Sequence, residues 1–196
     1  MKPSPKMAVN ARKAEGLAYF LAFIACIPAA NWMVGHLGTV CEPGGPCLVP
    51  VWPWGRHGPL MAPSGVVMIG LALVLRDLVQ RRLGRTVALL AIVAGAALSG
   101  AVAPPALIVA STAAFLLSEL ADFAVYTPLQ ERGLVVAVLA SGVVGLIADS
   151  VLFLWLAFGS LEFLAGQILG KLWMVLLALP VVHWIRKHEH PSSIAP

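Results

Sequence analysis

Charge is what this sequence has little of. Of 196 residues only 11% are Asp, Glu, Lys or Arg, while 60% are hydrophobic. A soluble domain carries about a quarter charged residues and under about half apolar ones. That contrast excludes a cytosolic globular enzyme and a disordered tail. Histidine is also scarce where chemistry would need it. The five are His36, His57, His183, His188 and His190, and none falls in the middle of an apolar run. A hydrolase built on Ser141 or Ser150 therefore has no histidine base. His36 and His57 do not stand at finger-like spacing from the cysteines, so no metal or other cofactor is expected. No GxxxxGK[ST] phosphate loop occurs, so the chain hydrolyses no nucleotide. The net charge of +4, from 13 bases against 9 acids, sits in short clusters, a pattern that fixes membrane topology and not nucleic-acid binding.

What is there in quantity is long apolar runs. A membrane helix needs about 20 mostly apolar residues, and six such stretches occur: Gly16–Gly35, Ala62–Val79, Thr86–Ala103, Ala106–Tyr126, Gly133–Phe158 and Glu162–Trp184. Breakers separate them, including the Pro-Gly-Gly-Pro of 43–46, Gly84, Pro104-Pro105, Pro128 and Gly159. The runs lack the every-second-residue alternation of a lipid-facing barrel. The expected fold is all-α, a polytopic integral membrane protein of six transmembrane helices. Residues 1–15 form an N-terminal tail, 16–184 the membrane domain with a loop over 36–61, and 185–196 a C-terminal tail.

Orientation follows from the flanks. Lys2, Lys6, Arg12, Lys13, Arg76, Arg81, Arg82, Arg85, Arg132, Arg186 and Lys187 fall on one side and only Arg56 on the other. Basic residues stay in the cytoplasm during insertion, which puts both termini there and loop 36–61 outside. The competing reading of the first run is a cleavable signal peptide with Ala29-Ala30 near its end. Cleavage would leave five spans and move the N-terminus outside, against the basic count.

Of the three cysteines, Cys41 and Cys47 flank Glu-Pro-Gly-Gly-Pro, a segment that turns back on itself. On an oxidising face they suit a disulfide, and two free thiols are the alternative. Cys26 stands alone within a span as a small packing residue. Trp52 and Trp54 suit the headgroup layer.

The informative residues are ionisable ones inside the spans, where a charge costs at least about 2.5 kcal/mol. Asp149 and Lys171 each lie about 14 Å from the outer end of their spans, near the midplane. The short turn at Gly159–Leu161 makes those spans antiparallel neighbours, so an Asp149–Lys171 pair is expected. Gln167 shares the Lys171 face. Glu119 and Asp122 share one face at about 20 and 24 Å, with Arg76 at about 21 Å. Ser111, Ser118 and Tyr126 extend that face. A salt-bridged packing network and a transport or catalytic cavity both fit this polarity, and intramembrane ionisable residues default to function. Asn31, near the outer end of the first span, suits either a packing hydrogen bond or a gate. Ser141, Gly142 and Gly145, with Gly166 and Gly170, allow close helix approach.

The segments MAPSGVVMIGLALVLRDLVQRRLGR (61–85), SELADFAVYTPLQERG (118–133), SGVVGLIADSVLFLWLAFG (141–159) and the GK with a later Pro of 170–180 resemble the queuosine precursor transporter family, also labelled the vitamin uptake transporter family. The resemblance implies uptake of 7-deazaguanines, such as 7-cyano-7-deazaguanine, across the bacterial inner membrane. It carries Arg76, Asp77, Glu119, Asp122, Asp149 and Lys171 as functional positions. A carboxylate, Glu119 or Asp122, would take the two parallel N–H donors of a guanine-like edge. Lys171, Gln167 or Asn31 would donate to the ring carbonyl, and Phe123, Tyr126 or Trp173 would stack on the heterocycle. Six spans also suit two three-helix repeats around a midplane site.

Two other readings compete with import. One is a substrate-capture subunit working beneath a separate ATPase. The other is an intramembrane enzyme, but an aspartyl mechanism needs two acids sharing a proton, and Asp122 and Asp149 differ in depth by about 10 Å. The expected partners are a 7-deazaguanine and the lipid bilayer, with no nucleic acid. A homo-oligomer is compatible with the sequence but not required by it.

Overall fold

The computed structural model describes residues 5–41, 46–55 and 58–188. Lys2, Arg56, His57, His190 and the Pro43–Gly45 turn lie outside the described residues. Six helices follow one another: α1 (Pro5–His36), α2 (Val66–Leu83), α3 (Arg85–Val102), α4 (Ile108–Leu129), α5 (Leu134–Phe158) and α6 (Leu164–His188). A single turn of 3-10 helix over Pro105–Leu107 follows the Pro104-Pro105 break.

Five of the six, all but α2, are long and apolar enough to cross a membrane. α2 has the length, but Arg76, Asp77, Arg81 and Arg82 lower its hydropathy. Its position explains how it carries them. Leu73, Val74 and Leu78 pack in one core with α4, α5 and α6, while Ala72 packs in a second with α1, α3 and α4. A helix walled by protein on most sides need not be apolar for the lipid.

Around these apolar cores, the outer surface is more apolar than that of a soluble protein and the interior also holds charged groups. Leu90, Val109, Val136, Leu177 and Trp184 are exposed, whereas Arg76, Asp122, Ser141, Ser150 and Lys171 are buried. Apolar outer faces suit a hydrocarbon solvent, and polar groups are sequestered where they find one another.

Most helix ends fall within a few residues of the apolar runs, and three features depart from the sequence reading. α1 starts at Pro5, so residues read as a tail are helical from there on. Ala8, Ala11, Arg12, Lys13, Ala14 and Glu15 are mostly strong helix formers, and Glu15 is ion-paired with Arg82, Oε2 to Nε 3.0 Å. α4 runs to Leu129, with Pro128 in its last turn and not beyond its end.

The third departure is the loop over 36–61. It is a three-stranded antiparallel sheet of β1 (Val40–Cys41), β2 (Cys47–Gly55) and β3 (Gly58–Pro63), in that order. The all-α bundle of six helices stands, and it carries one small sheet where the sequence reading has a loop. Leu48, Val49, Val51 and Trp52 have strong strand preference, and the prolines among them forbid a helix. Leu48 pairs with Pro63 and Trp52 with Leu60, with register irregularities between.

The α2–α3 turn is one residue, Gly84, at φ 88°, in the left-handed region that glycine alone enters freely. Its N–H donates to the Gln80 carbonyl at 2.9 Å. This tight reversal and the sheet mark the two ends of the bundle: a basic end with Arg81, Arg82, Arg85 and Arg132, and a hairpin end.

Candidate functional site

Two polar clusters lie inside the bundle, stacked along its axis. The first joins α5 to α6. Lys171 Nζ donates to Asp149 Oδ2 at 2.5 Å, to Gln167 Oε1 at 2.7 Å and to Ser150 Oγ at 2.8 Å. All three ammonium protons are used. Ser150 in turn donates to the Leu146 carbonyl at 2.6 Å, which fixes its oxygen as an acceptor for the lysine. The expected Asp149–Lys171 pair is present, and Gln167 stands one turn before the lysine as its face requires.

This cluster is the floor of a cavity of about 620 Å³, open mouth included. Every lining residue that lies in one of the six helices comes from the half of that helix nearer the hairpin end, and Pro63, Gly65, Pro104 and Leu107 complete the rim. Asn31 and Val34 of α1, Val66 and Ile69 of α2, and Ser99 of α3 form one wall. Ser111 and Phe115 of α4, Asp149 and Phe153 of α5, and Gln167 and Lys171 of α6 form the other. Asn31 is turned partly to its own helix, donating to the Ile27 carbonyl at 3.0 Å. Ser99 Oγ donates to Ser111 Oγ at 3.3 Å across the two walls.

The second cluster lies toward the basic end and closes the bundle there. Arg76 of α2 donates through Nε to Glu119 Oε2 at 3.2 Å and through one terminal nitrogen to Gln80 Oε1 at 3.3 Å. Its other terminal nitrogen contacts Asp122 Oδ1 and lies 2.9 Å from Asp77 Oδ1. The guanidinium carbon is 5.8 Å from the centre of the Phe123 ring and 5.6 Å from that of Tyr126, a cation–π geometry. Ser141 of α5 donates to Asp77 Oδ2 at 3.2 Å, and Gln80 Nε2 to Thr127 Oγ1 at 3.0 Å. Ser118 links the layers, its Oγ lying 3.4 Å from Asp149 Oδ1.

The nine residues expected to meet one substrate are thus divided. Asn31, Asp149, Gln167 and Lys171 line the cavity. Arg76, Glu119, Asp122, Phe123 and Tyr126 do not, because Arg76 gathers the acids and aromatics around itself one layer deeper. Glu119 and Asp122, the two acids named for the substrate edge, are both held by that guanidinium, and the acid that lines the cavity is Asp149, which the sequence reading pairs with Lys171 and does not assign to that edge. Trp173 is also elsewhere: it stacks on Trp52 of β2 with ring centres 6.1 Å apart. The aromatic rings at the cavity are Phe115 and Phe153, which the sequence reading did not single out. Their signal was position, since Phe153 follows Asp149 by one helical turn and Phe115 precedes Glu119 by one.

Cys41 and Cys47 are joined by a disulfide with Cα atoms 4.0 Å apart, and Cys26 is buried and free. Among the described residues no group of three His, Cys, Asp or Glu is arranged to hold a metal ion.

Residues 102–185 match the family model described as "Putative vitamin uptake transporter". Over that stretch, somewhat under half of its length, the chain is similar to the vitamin uptake transporters. The match covers α4, α5 and nearly all of α6, including the SELADF and IADS segments and the whole Asp149–Lys171 floor. No curated protein and no solved structure matches the chain. A bundle with five helices fit to cross a membrane, with a cavity above a closed ionic layer, is the arrangement to be explained.

Proposed function

We propose that this transporter imports queuosine precursors, 7-cyano-7-deazaguanine and related 7-deazaguanines, across the bacterial inner membrane, with the hairpin end outside and the basic end in the cytoplasm. The observation that carries the reading is a cavity that pairs a carboxylate with flanking donors and two aromatic rings. A guanine-like edge offers a ring N–H and an exocyclic amine as parallel donors. Asp149 accepts from both, since each carboxylate oxygen keeps a second lone pair beyond its bond to Lys171 or Ser118. The Gln167 amide and Asn31 supply donors for the ring carbonyl, and Phe115 and Phe153 flank the flat heterocycle. Two clusters on one axis also suit alternating access. The cavity gives onto the hairpin end, and the Arg76 layer blocks the path beneath it.

A strain unable to make the precursor tests the reading. With the transporter present, external 7-cyano-7-deazaguanine restores queuosine in tRNA. Deletion abolishes that rescue where no second importer exists. The purified protein gains thermal stability with 7-deazaguanines. Stabilisation by riboflavin or biotin and not by deazaguanines overturns the substrate.

A further inference from the structure

The Arg76 layer is out of charge balance. Three carboxyls, Asp77, Glu119 and Asp122, surround one guanidinium, and all four side chains are at most 2% exposed. The other cations nearby are committed elsewhere. Lys171 is held by Asp149, and Arg81 donates to the Gln130 carbonyl at 3.3 Å. The remaining neighbours are neutral: Gln80 on α2, Phe123 and Tyr126 on α4, Ser141 on α5 and, in one core with Tyr126, the apolar Val175 of α6. Asp149, behind Ser118, adds no positive charge. Full ionisation would leave two buried negative charges without partners, a state proteins avoid by neutralising the group.

A second observation points to what neutralises them. Asp122 Oδ2 is buried and has no hydrogen-bond partner among the described residues. It lies against α5 at Gly145, where a Cβ would stand 2.9 Å from that oxygen. Asp77 Oδ1 likewise has no hydrogen bond and shares the same Arg76 nitrogen with Asp122. Two carboxyls converging on one nitrogen form a pair in which a proton relieves the like charge.

We propose that the Arg76 layer is the proton site of the transport cycle, a reading that rests on the transporter assignment above. Each proton is taken from water in the hairpin-end cavity, adds to one carboxylate oxygen of the layer and cancels one negative charge. It leaves to water at the basic end when α2 and α4 part and Arg76 releases the acids. The same layer that bars the path thus senses proton supply, so uptake of substrate is coupled to inward proton movement.

Two measurements on the full-length protein test this. The first needs no substrate. Infrared spectra at pH 7 should contain a protonated-carboxyl C=O band that shifts in D2O and weakens in Asp122→Asn or Asp77→Asn. Absence of the band, or its persistence unchanged in both variants, overturns the proton site. The second uses proteoliposomes and 7-cyano-7-deazaguanine. A one-unit pH gradient, acid at the hairpin side, should support about tenfold accumulation for one proton per substrate. Asp122→Asn should reduce the ratio to unity and flatten its pH profile, with circular dichroism showing the helices intact. Accumulation driven by sodium, or indifferent to the pH gradient, overturns the coupling. A band that behaves as stated beside a protein that moves no deazaguanine overturns the substrate assignment alone.

Discussion

Lys171 on α6 and Asp149 on α5 are bonded at 2.5 Å beneath the cavity, at side-chain exposures of 1% and 10%. The lysine is sealed and the aspartate is the member that reaches open space. The pair therefore both ties two helices and presents a carboxylate to whatever enters. Removing one partner strands the other's charge, which costs about 3–5 kcal/mol in buried pairs. Asp149→Asn and Lys171→Met should each lower stability by that order, and the double variant should lose less than the sum. Unfolding in detergent checks the stability cycle. Both single variants should also abolish uptake, since the carboxylate is lost in one and mispositioned in the other. Additive stability losses would mean the two residues act independently.

Arg76 meets Glu119, Gln80, Asp77 and Asp122 with a planar fork of five donors. Lysine has the charge but not the fork. Arg76→Lys should therefore behave as a loss, with three acids sharing a single point charge. A stability cost of about 3 kcal/mol or more is expected, together with a basic end that no longer closes. Labelling of a cysteine introduced at Thr127 by a thiol reagent applied from the basic side should rise in the Arg76→Lys background. Equal labelling in both backgrounds would remove the closing role.

The Asp149–Lys171 pair was legible because both its inputs are one-dimensional. Depth follows from counting residues along each span, and a three-residue turn fixes which helices are neighbours. Arg76, Glu119 and Asp122 were legible as a set at one depth, but depth does not say which way a side chain faces. Two layers separated by about one helical turn look like one cavity from sequence alone. The sheet was missed because its strands are too short and too proline-rich to stand out from a loop. α1's extra turns were missed for another reason, since hydropathy marks where lipid begins, not where a helix does.

Phe153 of α5 and Phe115 of α4 offer the cavity its aromatic surface, and a stacked base is worth about 1–3 kcal/mol per ring. Phe153→Ala should weaken binding of 7-cyano-7-deazaguanine roughly 5- to 150-fold. Phe153→Leu keeps the bulk and loses the π face, so it should recover stability without recovering affinity. Thermal-shift titration reads both quantities on one sample. Full affinity in Phe153→Leu would show that the ring only fills space. The contrast with Trp173→Phe is informative, because Trp173 is spent on Trp52 and should leave affinity unchanged.

The disulfide between Cys41 and Cys47 closes a loop of only six positions, so its entropic contribution falls near the low end, about 2 kcal/mol. What it holds matters more than how much it stabilises. β1 is two residues long and pairs with β2 at Val40–Leu48 and Cys41–Cys47, and β2 carries Trp52 onto Trp173 of α6. Gly166 of α6 lies so close to the Met61 carbonyl of β3 that a Cβ could not fit. The sheet is thus fastened to the helix that supplies Gln167 and Lys171. Cys41→Ser should lower the melting temperature modestly and alter Trp52–Trp173 fluorescence. It should raise the KM for uptake more than it lowers the maximal rate, because the mouth loosens while the floor stays bonded. Reductant added to the native protein should reproduce the variant, and Cys41→Ser should be insensitive to it. A maximal rate that collapses while KM holds would instead make the sheet a moving part of the cycle.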